Sequence, residues 1–200
     1  EKITALAQKY FDLPEDVKVT TYDGRAYLNA IEGKYDVIMV DAYQDITIPF
    51  QMSTTEFFNM VSDHLNPDGV MVVNMNMRGD SEGNINQYLA DTIATAFSEI
   101  YTIDVPGSTN RELFASNNPD IIIKMRANLE MEGNEELRHL LARVDDGLIK
   151  YNPGNYVMTD DKAPVELLGM KVIDEVIQTE VAYYKRIYEE QGIEGLMKYF

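Results

Sequence analysis

Two four-residue apolar runs, Val37-Ile38-Met39-Val40 and Val70-Met71-Val72-Val73, constrain the fold of this chain more than any other feature. Each reads as a buried strand: β-branched residues with Met between them, bounded by polar or turn residues on both sides. Phe57, Val61 and Leu65 recur between the runs at helical spacing, and Ile85, Leu89, Ile93 and Phe97 do so after them. Strands alternating with helices of 10 to 15 residues indicate a doubly wound α/β sheet.

The flanking segments extend this pattern. Ile3 to Phe11 reads as the body of a helix, Leu13-Pro14-Glu15-Asp16 as a turn and Val17 to Thr21 as a short alternating strand. Asp23 can cap a helix from about Arg25 to Ile31, which Gly33-Lys34 breaks before the first apolar run. Ser53 with Glu56 fits a capping box for the next helix, and Asn66-Pro67-Asp68-Gly69 a turn. The Ile85 to Phe97 stripe predicts a helix of about four turns. Ile100 to Val105 and Glu112 to Ala115 can pair as a hairpin across Pro106-Gly107. Pro119 to Glu132 carries two signals, a β-branched triplet at Ile121-Ile122-Ile123 and helical context after it. From Leu167 onward, Ile173, Ile177, Val181, Tyr184 and Tyr188 form the packing stripe of a long C-terminal helix.

In an open sheet of this kind, ligands bind beyond the carboxyl ends of the strands. Asp23 and Asp41 each end a strand-like unit, which suggests a site for a nucleoside-bearing, amine-containing ligand. No helix begins near Asp41, so capping does not explain it. Asp23 can cap and bind at once. Asn74 closes the second run and is a weaker candidate. Charge agrees: 17 basic against 34 acidic residues leave a net charge of −17, which argues against nucleic acid and favours cationic substrates. Cys is absent and the 2 His residues show no ligand spacing, so no metal site is expected. No run approaches the roughly 20 apolar residues of a membrane span, and a cytoplasmic location is expected. The 200 residues suit one domain, a core sheet region over 1–116 and a helical region over 117–200. The chain opens on Glu1 in the middle of a helical pattern, so it is expected to be the C-terminal part of a longer fold.

The motifs Tyr22-Asp23-Gly24-Arg25-Ala26-Tyr27-Leu28, Tyr35 to Tyr43, Thr54-Thr55-Glu56-Phe57-Phe58, Leu65 to Val70 and Thr159-Asp160-Asp161-Lys162-Ala163-Pro164-Val165-Glu166 occur in that order. Together they resemble the spermidine synthase (polyamine aminopropyltransferase) family, within the S-adenosylmethionine-dependent methyltransferase fold. The late segment is similar to spermidine-synthase-like proteins fused to transporter-like regions. The resemblance implies a Rossmann-like sheet of strand order 3-2-1-4-5-7-6. Its first two strands are expected to be missing here, which would leave the Asp41 strand with an exposed apolar edge. It further implies that Asp23 accepts from the adenine amino group with Gly24 beside it, and that Asp41 holds and helps deprotonate the attacking amine. Tyr43 would assist, and Gln44, Asp45 and Asp161 would contact substrate.

The implied activity is aminopropyl transfer from decarboxylated S-adenosylmethionine to a diamine such as putrescine, without a metal, in a homodimer. Three departures keep other readings open. Gln44 stands where the family has a second acid, and an amide supplies no negative charge. Trp is absent, as is the family's late aromatic segment. None of the 12 glycines forms a G-x-G-x-x-G loop. The alternatives are a small-molecule methyltransferase using S-adenosylmethionine itself, and a non-catalytic adenosyl-binding module. The 200-residue chain alone is expected to be inactive.

Overall fold

The computed structural model describes residues 2–42, 48–75, 82–108 and 110–199, with the backbone only of 175 and 176. They divide into two compact units, Glu1–Glu32 and Gly33–Phe200. In the first, helix α1 (Lys2–Tyr10) leads through turns to helix α2 (Gly24–Ala30). The strand expected over Val17–Thr21 does not form: Val17 closes a turn onto the Pro14 carbonyl at 3.3 Å, and no ladder involves this segment. Alternation decides only which side chains share a face. A strand also needs a neighbour to take its backbone groups, and this unit offers none among its described residues.

The second unit holds β1 (Tyr35–Val40), a 3-10 turn at Phe50–Met52, α3 (Thr55–Asp63), β2 (Leu65–Met75), α4 (Ile85–Ile93), β3 (Glu99–Asp104) and β4 (Arg111–Ser116). It continues with α5 (Ile121–Met131), α6 (Glu135–Gly147), β5 (Ile149–Lys150) and α7 (Val165–Leu196), the last kinked at Gly192. The sheet order is β1-β2-β4-β3-β5. Among the described strands only β1 and β2 run parallel; the β3–β4 hairpin inserts β4 antiparallel beside β2. Strands β1-β2-β4-β3 thus reproduce the 4-5-7-6 half of the expected order. β1 lies at the edge among the described residues, and Val37 and Met39 are 54% and 72% exposed, the apolar edge that was expected.

Period-two alternation puts Val40, Met71, Val73, Leu113, Ala115 and Ile100 on one face. With Phe57, Phe58 and Val61 of α3 and Ile85, Leu89 and Ile93 of α4 they make the buried core. Each such large side chain contributes about 1.5–3 kcal/mol on burial. The opposite face carries Val70, Val72, Phe114 and Tyr101, and α5 and α6 cover part of it.

Several boundaries differ from expectation for identifiable reasons. The helix cap is Thr54, whose hydroxyl accepts from Phe57 N at 3.4 Å; Ser53 instead donates to the Phe50 carbonyl, and Glu56 is engaged elsewhere. Asn66 to Gly69 stays within β2 as an irregularity, since Tyr35 pairs with Leu65 but Val37 with Val70. A Cβ on Gly69 would sit 2.9 Å from the Asn66 carbonyl oxygen, so this bend accepts little else. Helix α4 stops at Ile93, not Phe97. Thr92 and Thr95 hydroxyls donate to the Tyr88 and Thr92 carbonyls at 2.6 and 2.7 Å, a local competition that favours ending the helix. Residues 121–131 resolve as helix: the β-branched triplet opens α5.

Candidate active site

Asp41 follows β1 directly, at the carboxyl end of the parallel β1–β2 pair. Val40 pairs with Val73, so the next residues along, Asp41 and Asn74, come side by side, and Asn74 Nδ2 donates to Asp41 Oδ1 at 3.2 Å. Asn74 therefore orients the acid rather than satisfying loop backbone. On its other side Asn74 pairs with Glu112 of β4. Asp41, Asn74 and Glu112 form a row across three strands, and they line a cavity of about 300 Å³ with Met39, Val40, Val72 and Phe114.

The electrostatics of the row are unbalanced. Burial, and then the Asp41 charge, push the Glu112 carboxyl above its ordinary value. Asn74 Oδ1 is buried with no hydrogen-bond partner among the described residues. The two acids offer only acceptors when ionised, and a pocket lined by them suits a donor-rich cation. A larger cavity of about 590 Å³ lies on the same face beneath α5 and α6, lined by Val70, Phe114, Ile122 and Leu141. Its lining is mostly apolar, and two of its acids are already paired, Lys124–Asp68 at 2.7 Å and Lys150–Glu99 at 2.9 Å. The smaller acidic pocket is the site with unmet demand.

The remaining expected residues fall in different places. Asp23 is the α2 cap, exposed, its Oδ1 accepting from Ala26 N at 2.8 Å, and Gly24 is the first residue of that helix; both belong to the N-terminal unit. Tyr43, Gln44 and Asp45 lie outside the described residues. Asp161 is exposed in the turn closed by the Thr159–Lys162 bridge and does not line the Asp41 cavity. Neither Asp160 nor Asp161 caps α7, whose cap position is Pro164 with no side-chain bond. Asp160 instead accepts from the Thr54 hydroxyl at 2.7 Å, while its own N donates to Glu56 at 3.0 Å. His64 caps α3, with its Nδ1 2.8 Å from the Met60 carbonyl.

The late motif is thereby fastened to the start of α3, the helix that follows Asp41 in the chain. A second fastening is Asp91 on α4, 2% exposed, which accepts from the Tyr151 hydroxyl and Gly154 N, each at 2.7 Å, and from Tyr156 N at 2.9 Å. A Cβ on Gly154 would stand 2.8 Å from Asp91 Oδ2. Burial and Asp91 together raise the Tyr151 phenol well above its ordinary value, so it stays a donor. Sequence reasoning missed both Glu112 and Asp91. Glu112 had a signal, an acid next to the apolar Leu113-Phe114-Ala115 run at the hairpin end; Asp91 had none, because its partners lie some 60 residues away.

An open sheet with a parallel pair, an antiparallel hairpin insertion and acids at the carboxyl end defines a protein of the methyltransferase-fold class. The spermine/spermidine synthase domain matches residues 3–110, and the chain belongs to that family. A probable polyamine aminopropyl transferase of Bifidobacterium longum is 50% identical over 215 residues, covering 99% of this chain and 48% of the relative. The chain thus spans about half the length of that curated relative. Among solved structures, human methyltransferase-like protein 13 in complex with SAH superposes with a TM-score of 0.53 at 21% identity, covering 72% of this chain and 65% of that one. A probable spermidine synthase from Corynebacterium glutamicum gives 0.52 at 20% identity, covering 77% and 61%. At these identities the structures speak for the fold.

Proposed function

We propose that the protein transfers an aminopropyl group from decarboxylated S-adenosylmethionine to a diamine such as putrescine, yielding spermidine and methylthioadenosine. The observation that carries this reading is Asp41, held by Asn74 at the carboxyl end of the parallel strands in a chain of the spermine/spermidine synthase domain family. The amine attacks as the free base. Its nitrogen bonds to the propyl carbon next to the sulfonium as the C–S bond breaks, and the electron pair goes to sulfur, leaving a neutral thioether. The surplus proton on the new ammonium passes to Asp41 and on to solvent. The sulfonium supplies the leaving group.

In the same reading Asp23 and Gly24 bind the adenine, Tyr43 hydrogen-bonds near the reacting nitrogen, and Gln44 and Asp45 contact the amine. Asp161, exposed on an acidic surface, adds to the field that draws cations in. The working protein is a cytoplasmic homodimer in this reading, and light scattering on the intact gene product checks the dimer. No helix among the described residues is long and apolar enough to cross a membrane.

A second reading, methyl transfer from S-adenosylmethionine, is favoured by Gln44 in the place of an acid. The two separate on nucleoside product. Incubating the intact gene product with putrescine and each sulfonium in turn should release methylthioadenosine from the decarboxylated one only, and Asp41→Asn should abolish it. S-adenosylhomocysteine from the carboxylated substrate would support methyl transfer instead.

A further inference from the structure

We propose that Glu112 is the anchor for the non-reacting ammonium of the diamine, so that Asp41 and Glu112 hold the two ends of one dication across Asn74. The proposal rests on the aminopropyl-transfer reading of the same site. Adjacent strands lie about 4.8 Å apart, so residues two strands apart in one row have backbones roughly 10 Å apart. Asp41 and Glu112 occupy those outer places, with Asn74 between them. Their side chains line one cavity on one face of the sheet. An extended four-carbon diamine measures roughly 6 Å between nitrogens from standard bond lengths, and with a hydrogen bond of about 2.8 Å at each end it spans about 12 Å, a little more than the backbone separation and within reach of two side chains that can lean apart.

The donor count also fits. An ammonium brings three N–H groups. The cavity presents the Glu112 carboxylate, and it is also lined by Asn74, whose Oδ1 is buried with no partner among the described residues. Among the described residues no ion pair holds Glu112, and the like charge of Asp41 adds to burial in pushing its carboxyl up. An acid desolvated beside another acid gains from a cation between them. Glu112 also returns the second negative charge that Gln44 cannot provide, from β4 instead of from the residues that follow Asp41 in the chain.

The test is amine saturation kinetics of the intact gene product with decarboxylated S-adenosylmethionine, comparing putrescine with n-butylamine, the same chain lacking the second nitrogen. Wild type should show a KM for putrescine about 10- to 100-fold below that for butylamine, the range expected for one charged hydrogen bond. Glu112→Gln should raise the putrescine KM by that factor, leave the butylamine KM alone and change kcat little. Glu112→Asp, one methylene shorter, should keep the diamine preference and shift it from the four-carbon toward the five-carbon diamine. Equal KM values for the two amines in wild type would overturn the anchor, with or without a folded variant. So would a Glu112→Gln effect that falls equally on both amines. No transfer to either amine by folded wild type would remove the aminopropyl-transfer reading itself, and the anchor with it.

Discussion

Replacing Asp91 by Asn tests the clamp that fixes the chain around Tyr151 to Tyr156. The carboxylate accepts three hydrogen bonds, two on Oδ1 from Tyr151 and Gly154 and one on Oδ2 from Tyr156. An amide of the same shape keeps one acceptor oxygen and turns an NH2 toward an N–H or O–H donor whichever way it is placed. At least one donor loses its partner, and the others exchange a charged acceptor for a neutral one. Hydrogen bonds to charged groups are worth about 1.5–3 kcal/mol and neutral ones about 1 kcal/mol. The loss should therefore be about 2–4 kcal/mol, read as a lowered midpoint in urea unfolding of the intact protein at unchanged slope. Tyr151→Phe alone should cost about 1–2 kcal/mol. In the Asp91→Asn background it should cost less, with a coupling of about 1 kcal/mol in the double-mutant cycle. A single-variant loss below about 0.5 kcal/mol, or additive effects of the pair, would refute the clamp.

Asp41→Asn should leave the fold intact and lower turnover by about 100-fold or more, the usual scale for removing a proton acceptor, as measured by methylthioadenosine release. Glu112→Gln should raise the melting temperature of the unliganded protein at neutral pH. The Glu112 pKa is raised in the folded state, so folding binds extra protons between the ordinary carboxylate value and the raised one. Stability falls as pH rises through that window; the variant's advantage should vanish below about pH 3 and be full above the raised value. A variant less stable than wild type at neutral pH would contradict the strained acid. Thr54→Val removes both the cap on Phe57 N and the donor to Asp160, and should cost about 1–2 kcal/mol in urea unfolding.

The sheet was legible because its signals are local. Val37–Val40 and Val70–Val73 are apolar runs bounded by turn chemistry, and the spacing of Phe57 and Val61 or Ile85, Leu89 and Ile93 needs no partner to be read. Val17 to Thr21 misled because alternation does not announce whether a neighbouring strand exists. Helix α4 ended early through threonine hydroxyls that a hydrophobic stripe does not register. Asp41 was found because it ends a strand. Its companions were harder: Asn74 is positioned by the parallel register and Glu112 by the antiparallel one, and only the sheet order puts them in one row. Asp160 gives no sign in the sequence of its hydroxyl partner, Thr54, which lies 106 residues earlier. Long-range partners of this kind leave no periodic trace in the chain.

The most direct test of the central claim follows the nitrogen. The intact gene product is given putrescine carrying heavy nitrogen at both ends, with decarboxylated S-adenosylmethionine, and the products are weighed by mass spectrometry. The expected result is spermidine containing both heavy nitrogens and one light one, formed in equal amount with methylthioadenosine and lost in Asp41→Asn. Methylated putrescine with S-adenosylhomocysteine when S-adenosylmethionine is supplied, or unchanged putrescine with a folded protein, would contradict aminopropyl transfer at the Asp41 site.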